Sequence, residues 1–280
     1  MNPLTPIRTA NRVLGRVVPH FTGELARRLM MRPQQNPPRA WELPALASAE
    51  RVTFRFGLSA LRWGTSGPVV LALHGWKGRP TQFARFAAPI VAAGRQLVAL
   101  EAPGHGRSPG DEVHAVAFAQ ALTEAAAELR GLEAVIGHSM GGAATMIALA
   151  DGLAVERAVV IGAPATMRNV LAGYADAIAL PDAAKAAFFA SVDRHVGVPM
   201  AALDSSVLGA RVAVPGLVVH DRDDETIPFA EGEKLARDWR GAEFLATRGL
   251  GHRQVLADDE VIARVVAFLG LGGAPLRSAA

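Results

Sequence analysis

Residues 134–151, AVIGHSMGGAATMIALAD, constrain this chain more than any other stretch. Ala134, Val135 and Ile136 read as the end of a short buried strand, and residues 143–150 form an Ala, Met and Leu run of high helix propensity. Between them sits Gly137-His138-Ser139-Met140-Gly141, followed at once by Gly142. A strand that turns into a helix within three residues leaves its central residue strained and crowded by the neighbouring turns. Glycine two before and two after relieves that crowding. The expectation is that Ser139 Oγ stands at a sharp exposed corner, with the first amides of the following helix, Met140 N–H among them, aimed at whatever Ser139 attacks. The bland alternative is a glycine-rich helix start with a capping serine; the strand before it and the helix after it argue against that.

Around this stretch, strands alternate with helices. Strands are expected at residues 51–56, 59–63, 68–73, 96–101, 157–161, 216–220 and 242–247, and helices at 81–93, 113–130, 229–240 and 258–269. Such alternation predicts a mostly parallel eight-stranded sheet with helices on both faces, an α/β fold whose ligand site lies at the carboxyl ends of the strands. The rhythm breaks at residues 164–214, where about fifty residues separate two strands. This interval reads as a small helical cap, with a helix at 181–195 and Tyr174, Phe188 and Phe189 as candidates for a substrate pocket. The same aromatics could simply hold the cap to the body.

Residues 1–48 are different again. Ile7, Ala10, Val13, Leu14, Val17 and Val18 recur at spacings of three and four, and Phe21, Leu25 and Leu29 repeat every four after a break at Pro19. Prolines at 33, 37, 38 and 44 mark a linker. Residues 1–40 hold seven arginines against Glu24 alone, a net of +6; the whole chain carries +3, so the remainder carries −3. Two readings follow for this basic amphipathic leader: a helix pair packed on the body or on a second subunit, which is favoured, or attachment to an anionic membrane surface. The folded domain then runs over residues 49–272, with a tail at 273–280.

Composition removes several function classes. With no cysteine, the chemistry has to come from oxygen and imidazole groups. The body is not basic and lacks the aromatic interleaving of a nucleic-acid face, so no nucleic-acid partner is expected. No signal peptide and no apolar run near 18 residues is evident, so a cytoplasmic protein is expected.

A serine hydroxyl is a poor nucleophile until a base takes its proton, so Ser139 needs an imidazole and a group to orient it. His138 adjoins the serine, but its side chain should point away at so tight a turn. His252, on a glycine-flanked loop after the last strand, can reach back over the strand ends and is the chosen base. The orienting acid should follow a strand between the two, where Asp221, Asp223, Asp224 and Glu225 crowd directly after residues 216–220.

The order serine, acid, histidine is that of α/β-hydrolases, and residues 51–269 resemble a bacterial member of that family with a small cap. The resemblance is carried by His74-Gly75-Trp76, by Pro-Gly-His-Gly-Arg-Ser at 103–108, by the Gly-His-Ser-Met-Gly-Gly turn, and by Asp224-Glu225-Thr226-Ile227-Pro228 with the late Gly251-His252. It implies Asp224 as the acid, with Asp221 and Asp223 as weaker candidates, and an oxyanion hole made of the amides of Trp76 and Met140. It also implies that His74 and residues 103–108 shape the loops beneath. Glu101 stands where aspartate is common in the family, and the His-Gly-Gly-Gly run of one esterase group is absent. The implied activity is hydrolysis of a carboxylic ester or thioester of a small acyl substrate, with no cofactor and no metal. The same constellation supports cofactor-free perhydrolysis or carbon–carbon bond hydrolysis, and the scaffold also occurs as a catalytically silent binding protein.

Overall fold

The computed structural model describes residues 5–33 and 37–271. The tail expected at 273–280 and the middle of the linker lie outside them. In chain order the elements begin with the leader helices α1 (Thr5–Val17) and α2 (Pro19–Met31), then a short α3 (Leu43–Ala47). The sheet opens with β1 (Glu50–Thr53), β2 (Ser59–Trp63) and β3 (Val69–Leu73), followed by α4 (Ala84–Ala92), β4 (Gln96–Leu100) and α5 (Ala115–Glu128). Next come β5 (Leu132–His138), α6 (Met140–Ala150) and β6 (Arg157–Ile161). The inserted segment holds α7 (Met167–Ala177), α8 (Asp182–Val196) and α9 (Ser205–Leu208). The chain closes with β7 (Gly216–Asp221), α10 (Phe229–Asp238), β8 (Glu243–Thr247), α11 (Gly251–Gln254) and α12 (Asp259–Phe268).

The eight strands form one sheet in the order β1-β2-β4-β3-β5-β6-β7-β8. Only the β1/β2 and β2/β4 pairs are antiparallel; every other pair is parallel. The period-two alternation of strand side chains divides the core in two. Leu71, Leu73, Val98, Leu100, Val135, Val160 and Val218 face one side, packed with Phe118 and Leu122 of α5, Ile147 of α6 and Leu235 of α10. Val70, Ala72, Leu97, Ala99, Ile136, Val159, Ile161 and Val219 face the other, against Phe86 and Ile90 of α4 and Ile262, Val265 and Phe268 of α12. Strands buried on both faces are what a parallel sheet covered by helices requires. From Gly141 to Ala150, α6 is buried at every position, so it carries small and apolar residues all round rather than an amphipathic stripe.

Local departures from the expected boundaries have local causes. The helix expected at 81–93 begins as a 3₁₀ turn, Pro80–Phe83, before α4 proper. At α5, His114 takes the N-cap, accepting from Ala117 N–H at 3.2 Å, so the helix starts two residues later than its apolar pattern. Past Thr53, Phe56 adopts φ 56°, which turns the chain out of β1.

The leader packs on the body, though not through the residues its apolar periodicity suggested. In α2 it is Thr22, Gly23, Ala26, Arg27 and Met31 that are buried, while Phe21, Leu25 and Leu29 stay exposed. The backbones approach too closely for larger residues: a methyl on Gly23 would lie 2.6 Å from Phe188 N in α8. Arg27 pairs with Glu24 of its own helix at 2.9 Å and ties the helix to Glu112, just before α5, at 3.2 Å. Hydrogen bonds from Arg27, Ser191 and Arg28 hold the Glu24 carboxyl far below the usual carboxylate range. Among the described residues no helix is long and apolar enough to cross a membrane.

Candidate active site

Strand β5 delivers Ser139 into α6 with φ 55° and ψ −123°, a left-handed conformation that costs a non-glycine residue energy and is held here by the packing around it. The flanking glycines are required by close approach. A methyl on Gly137 would meet Gly141 O at 2.5 Å, and one on Gly141 would meet Leu73 O at 2.2 Å. The strained turn expected at the serine is therefore what the backbone forms, with Ser139 itself only partly exposed.

The carboxyl ends of β5, β7 and β8 converge there. His252, in α11 after β8, places Nε2 3.0 Å from Ser139 Oγ, and its Nδ1–H donates to Asp224 Oδ2 at 2.7 Å. Asp224, in the loop after β7, has its other oxygen occupied by the amides of Thr226 at 2.8 Å and Ile227 at 2.9 Å. Burial pushes the Asp224 carboxyl up, but the hydrogen bonds from His252 and those two amides outweigh it, and the net shift is downward. An ionised, pinned carboxylate fixes the proton on Nδ1 and leaves Nε2 free to accept from the serine hydroxyl.

The other acids of that loop are not alternatives for this contact. Asp221 turns away from the imidazole and accepts from Thr247 Oγ at 2.7 Å and from the amides of Gly251 (2.9 Å), Asp223 (3.0 Å) and Leu250 (3.2 Å). It ties the end of β7 to the loop that carries His252. Asp223 accepts from Gly249 N–H at 3.0 Å on the exposed side of that loop. His138 is buried, and its Nε2–H donates to His252 O at 2.8 Å, bracing the base from behind. Burial first, and the neighbouring His252 second, push His138 down to about 3, so it is neutral.

Opposite the serine runs the loop after β3. A methyl on Gly75 would lie 2.6 Å from Ser139 Cβ, so only glycine lets this loop, which continues into Trp76, touch the serine. Met140 opens α6, and its amide is one of the first-turn donors with no intrahelical acceptor. His74 and His105 hold the loop from below. His74 Nδ1–H donates to Gly75 O at 2.8 Å while Nε2 accepts from Ala102 N–H at 3.2 Å. His105 Nδ1–H donates to Pro103 O at 3.0 Å, while its Nε2 accepts from Lys77 N–H at 3.1 Å. Burial pushes His74 down to about 3 and lowers His105 as well. Glu101 uses its extra methylene to take Arg107 N–H at 2.8 Å and Arg51 at 3.0 Å, and Ser108 ties Ser59 N–H to the same turn at 2.9 Å.

Beside Trp76 and Met140 lies an apolar cavity of about 80 Å³, walled by Met167, Leu171, Tyr174 and Met200 of the inserted segment and by Val113 and Val116 at the start of α5. Tyr174 faces it; Phe188 and Phe189 do not. Phe188 is fully buried between Tyr174, its ring 5.9 Å away, and the leader, and Phe189 lies under the Arg168 guanidinium at 4.5 Å. Phe188 is held on the leader's side because α8 packs against α2. In place of the two phenylalanines the leader supplies Met30 and Met31. Their only sequence signal is their position at the end of the second apolar pattern. Among the described residues no cluster of three or more His, Asp or Glu side chains is arranged to hold a metal ion.

Residues 69–267 match the sequence model of a family described as the alpha/beta hydrolase family. A human "Serine hydrolase-like protein" is 32% identical over 106 residues, covering 35% of this chain and 52% of that protein, so the chain spans about half the length of that curated relative. In fold, an esterase from Pyrococcus furiosus superposes with a TM-score of 0.65 at 17% identity, covering 86% of this chain and 96% of the esterase. A thioesterase domain from the curacin biosynthetic pathway superposes with a TM-score of 0.60 at 16% identity, over 79% of this chain and 99% of the domain.

Proposed function

The chain belongs to the alpha/beta hydrolase family, and we propose that it is a serine hydrolase cleaving a carboxylic ester or thioester through an acyl-enzyme on Ser139. The observation that carries this reading is the continuous series Asp224 Oδ2, His252 Nδ1, His252 Nε2, Ser139 Oγ, with links of 2.7 and 3.0 Å. In this reading Ser139 Oγ attacks the carbonyl carbon as its proton passes to His252 Nε2, and the imidazolium so formed is stabilised by the Asp224 carboxylate. The carbonyl oxygen, now an anion, meets the amides of Trp76 and Met140. Collapse breaks the bond to the alcohol or thiol, which leaves with the proton from Nε2. Water then attacks the acyl-enzyme, with His252 as base, releases the acid and restores Ser139.

An acyl chain rather than a polar group suits the site, because the cavity beside Trp76 and Met140 is walled by methionine, leucine and valine. The test is a panel of nitrophenyl esters, acyl-CoA thioesters and amides. The reading expects turnover of esters or thioesters of short to medium apolar acids, with a burst of one nitrophenol per chain wherever deacylation is the slower step. Failure to turn over any ester or thioester by a folded protein would leave the scaffold a binding protein.

A further inference from the structure

The leader's inner face is tied to α8 and to Glu112, but its outer face is apolar and, among the described residues, uncovered. On α1, Ile7, Val13, Leu14 and Val17 are exposed, Val17 to 73%. Val18, Phe21 (63%), Leu25 and Leu29 continue the stripe along α2. Large apolar side chains in so continuous a row are not the scattered exposure of an ordinary surface. Across the helix from that row lie Arg8, Arg12 and Arg16, spaced every four residues along α1, followed by Arg28 and Arg32 in the second half of the leader, and α1 carries no acidic residue. Apolar residues on one side of a helix and arginines on the other are the chemistry of a helix that lies in a bilayer interface.

The same stripe leads to the catalytic pocket. A groove of about 500 Å³ is lined by Ile7, Leu25 and Leu29 of the leader together with Tyr174 and Trp76, with Arg32 at its rim. Trp76 and Tyr174 also wall the cavity that Met140, the residue after Ser139, lines. An acyl chain leaving a bilayer under the leader would meet apolar surface along this groove as far as the cavity at Trp76 and Met140, with its headgroup beside Arg32.

We propose that residues 5–32 dock this protein on an anionic bilayer surface with the groove turned toward the lipid, so that its substrates are membrane-borne acyl esters. The substrate half rests on the serine-hydrolase reading; the docking half does not. A second copy of the chain is the other candidate for this face. It is disfavoured because a two-fold contact would bring two leader segments of net +6 together, whereas anionic lipid matches their charge.

The test uses the full chain carrying Ser139→Ala, so that binding is read without turnover, in co-sedimentation with phosphatidylglycerol:phosphatidylcholine vesicles and with phosphatidylcholine alone. Binding to the anionic vesicles at low salt, weakened by high salt and much weaker on phosphatidylcholine, is expected. The triple variant Arg8→Gln/Arg12→Gln/Arg16→Gln should weaken it on the order of 100-fold. Val17→Asp/Phe21→Asp, at exposed positions away from the pocket, should abolish it. In the Ser139 background the same two variants should leave hydrolysis of a soluble nitrophenyl ester unchanged and lose hydrolysis of the same acyl group presented in vesicles. Absence of binding at low salt, binding indifferent to both variants, or a two-chain particle that Val17→Asp/Phe21→Asp converts to one chain would each overturn the docking. Vesicle binding with no ester turnover would sink the hydrolase reading alone, and equal loss on soluble and vesicle-borne esters would overturn the membrane-borne substrate.

Discussion

Replacing Asp224 with asparagine separates orientation of the histidine from everything else the loop does. The amides of Thr226 and Ile227 both donate to Oδ1, so the new side chain keeps its carbonyl oxygen there and must turn its NH₂ toward His252 Nδ1, 2.7 Å from the present Oδ2. Two donors then face each other. The imidazole relieves the clash by moving its proton to Nε2, the tautomer that cannot accept from Ser139, while the backbone stays in place. In a triad of this kind that exchange lowers kcat by about 10⁴, or roughly 5.4 kcal/mol of barrier, and leaves KM little changed. The contrast is Asp221→Asn. Its carboxylate accepts four hydrogen bonds, two per oxygen, and an amide can serve only one of those pairs without rotation of Thr247. The expected outcome is a loss of about 1–3 kcal/mol of stability for an unsatisfied buried group, with a far smaller drop in kcat. Nitrophenyl ester kinetics and urea unfolding of both variants decide it. Near-normal kcat in Asp224→Asn with a 10⁴ loss in Asp221→Asn would refute the geometry of the pair.

Other outcomes follow from the same contacts. Gly75→Ala puts a methyl against Ser139 and His138 O, so it should displace the Trp76 amide and lower kcat on the order of 10²–10³-fold in a protein that circular dichroism still finds folded. Along a series of linear acyl nitrophenyl esters, kcat/KM should rise about fourfold per methylene, from about 0.8 kcal/mol each, until the cavity is filled; a preference for charged acyl groups would mean that Arg168 leaves Phe189 to enter the site. Stability should fall as pH drops from about 6.5 to 5. His74 and His138 stay neutral in the folded chain down to about 3, and His105 and His114 are shifted the same way by burial, while the unfolded chain takes up these protons near 6.5. Each such histidine contributes up to about 1.4 kcal/mol per pH unit, so urea unfolding should show a clear slope in this window, and a flat profile would contradict their burial as neutral groups.

What could be read from the residues was local chemistry. Strands β2 and β6 have the boundaries their apolar runs predict, and the turn at Ser139 is fixed by glycines within two residues of it. The resemblance to the family adds Asp224 over its neighbours, and the loop hydrogen bonds are consistent with that choice. Features set by distant partners left no such mark. Asp221 differs from Asp224 only in which way it turns, and its partners lie up to 30 positions away. Apolar periodicity in the leader pointed to Phe21, Leu25 and Leu29 as the packed face. Helix contact is instead made by Gly23 and Ala26, because close approach of two backbones favours small residues over large ones. That contact is also what draws Phe188 away from the pocket and puts Met30 and Met31 at it.

The most direct test of the account is labelling by a fluorophosphonate, which reacts with a serine only when a base activates it beside an oxyanion hole. A single adduct is expected on the peptide containing Ser139, competed by a substrate ester and absent in both Ser139→Ala and His252→Ala. An adduct on another residue, or an unlabelled native protein whose Ser139→Ala variant still turns over ester near the native rate, would contradict it.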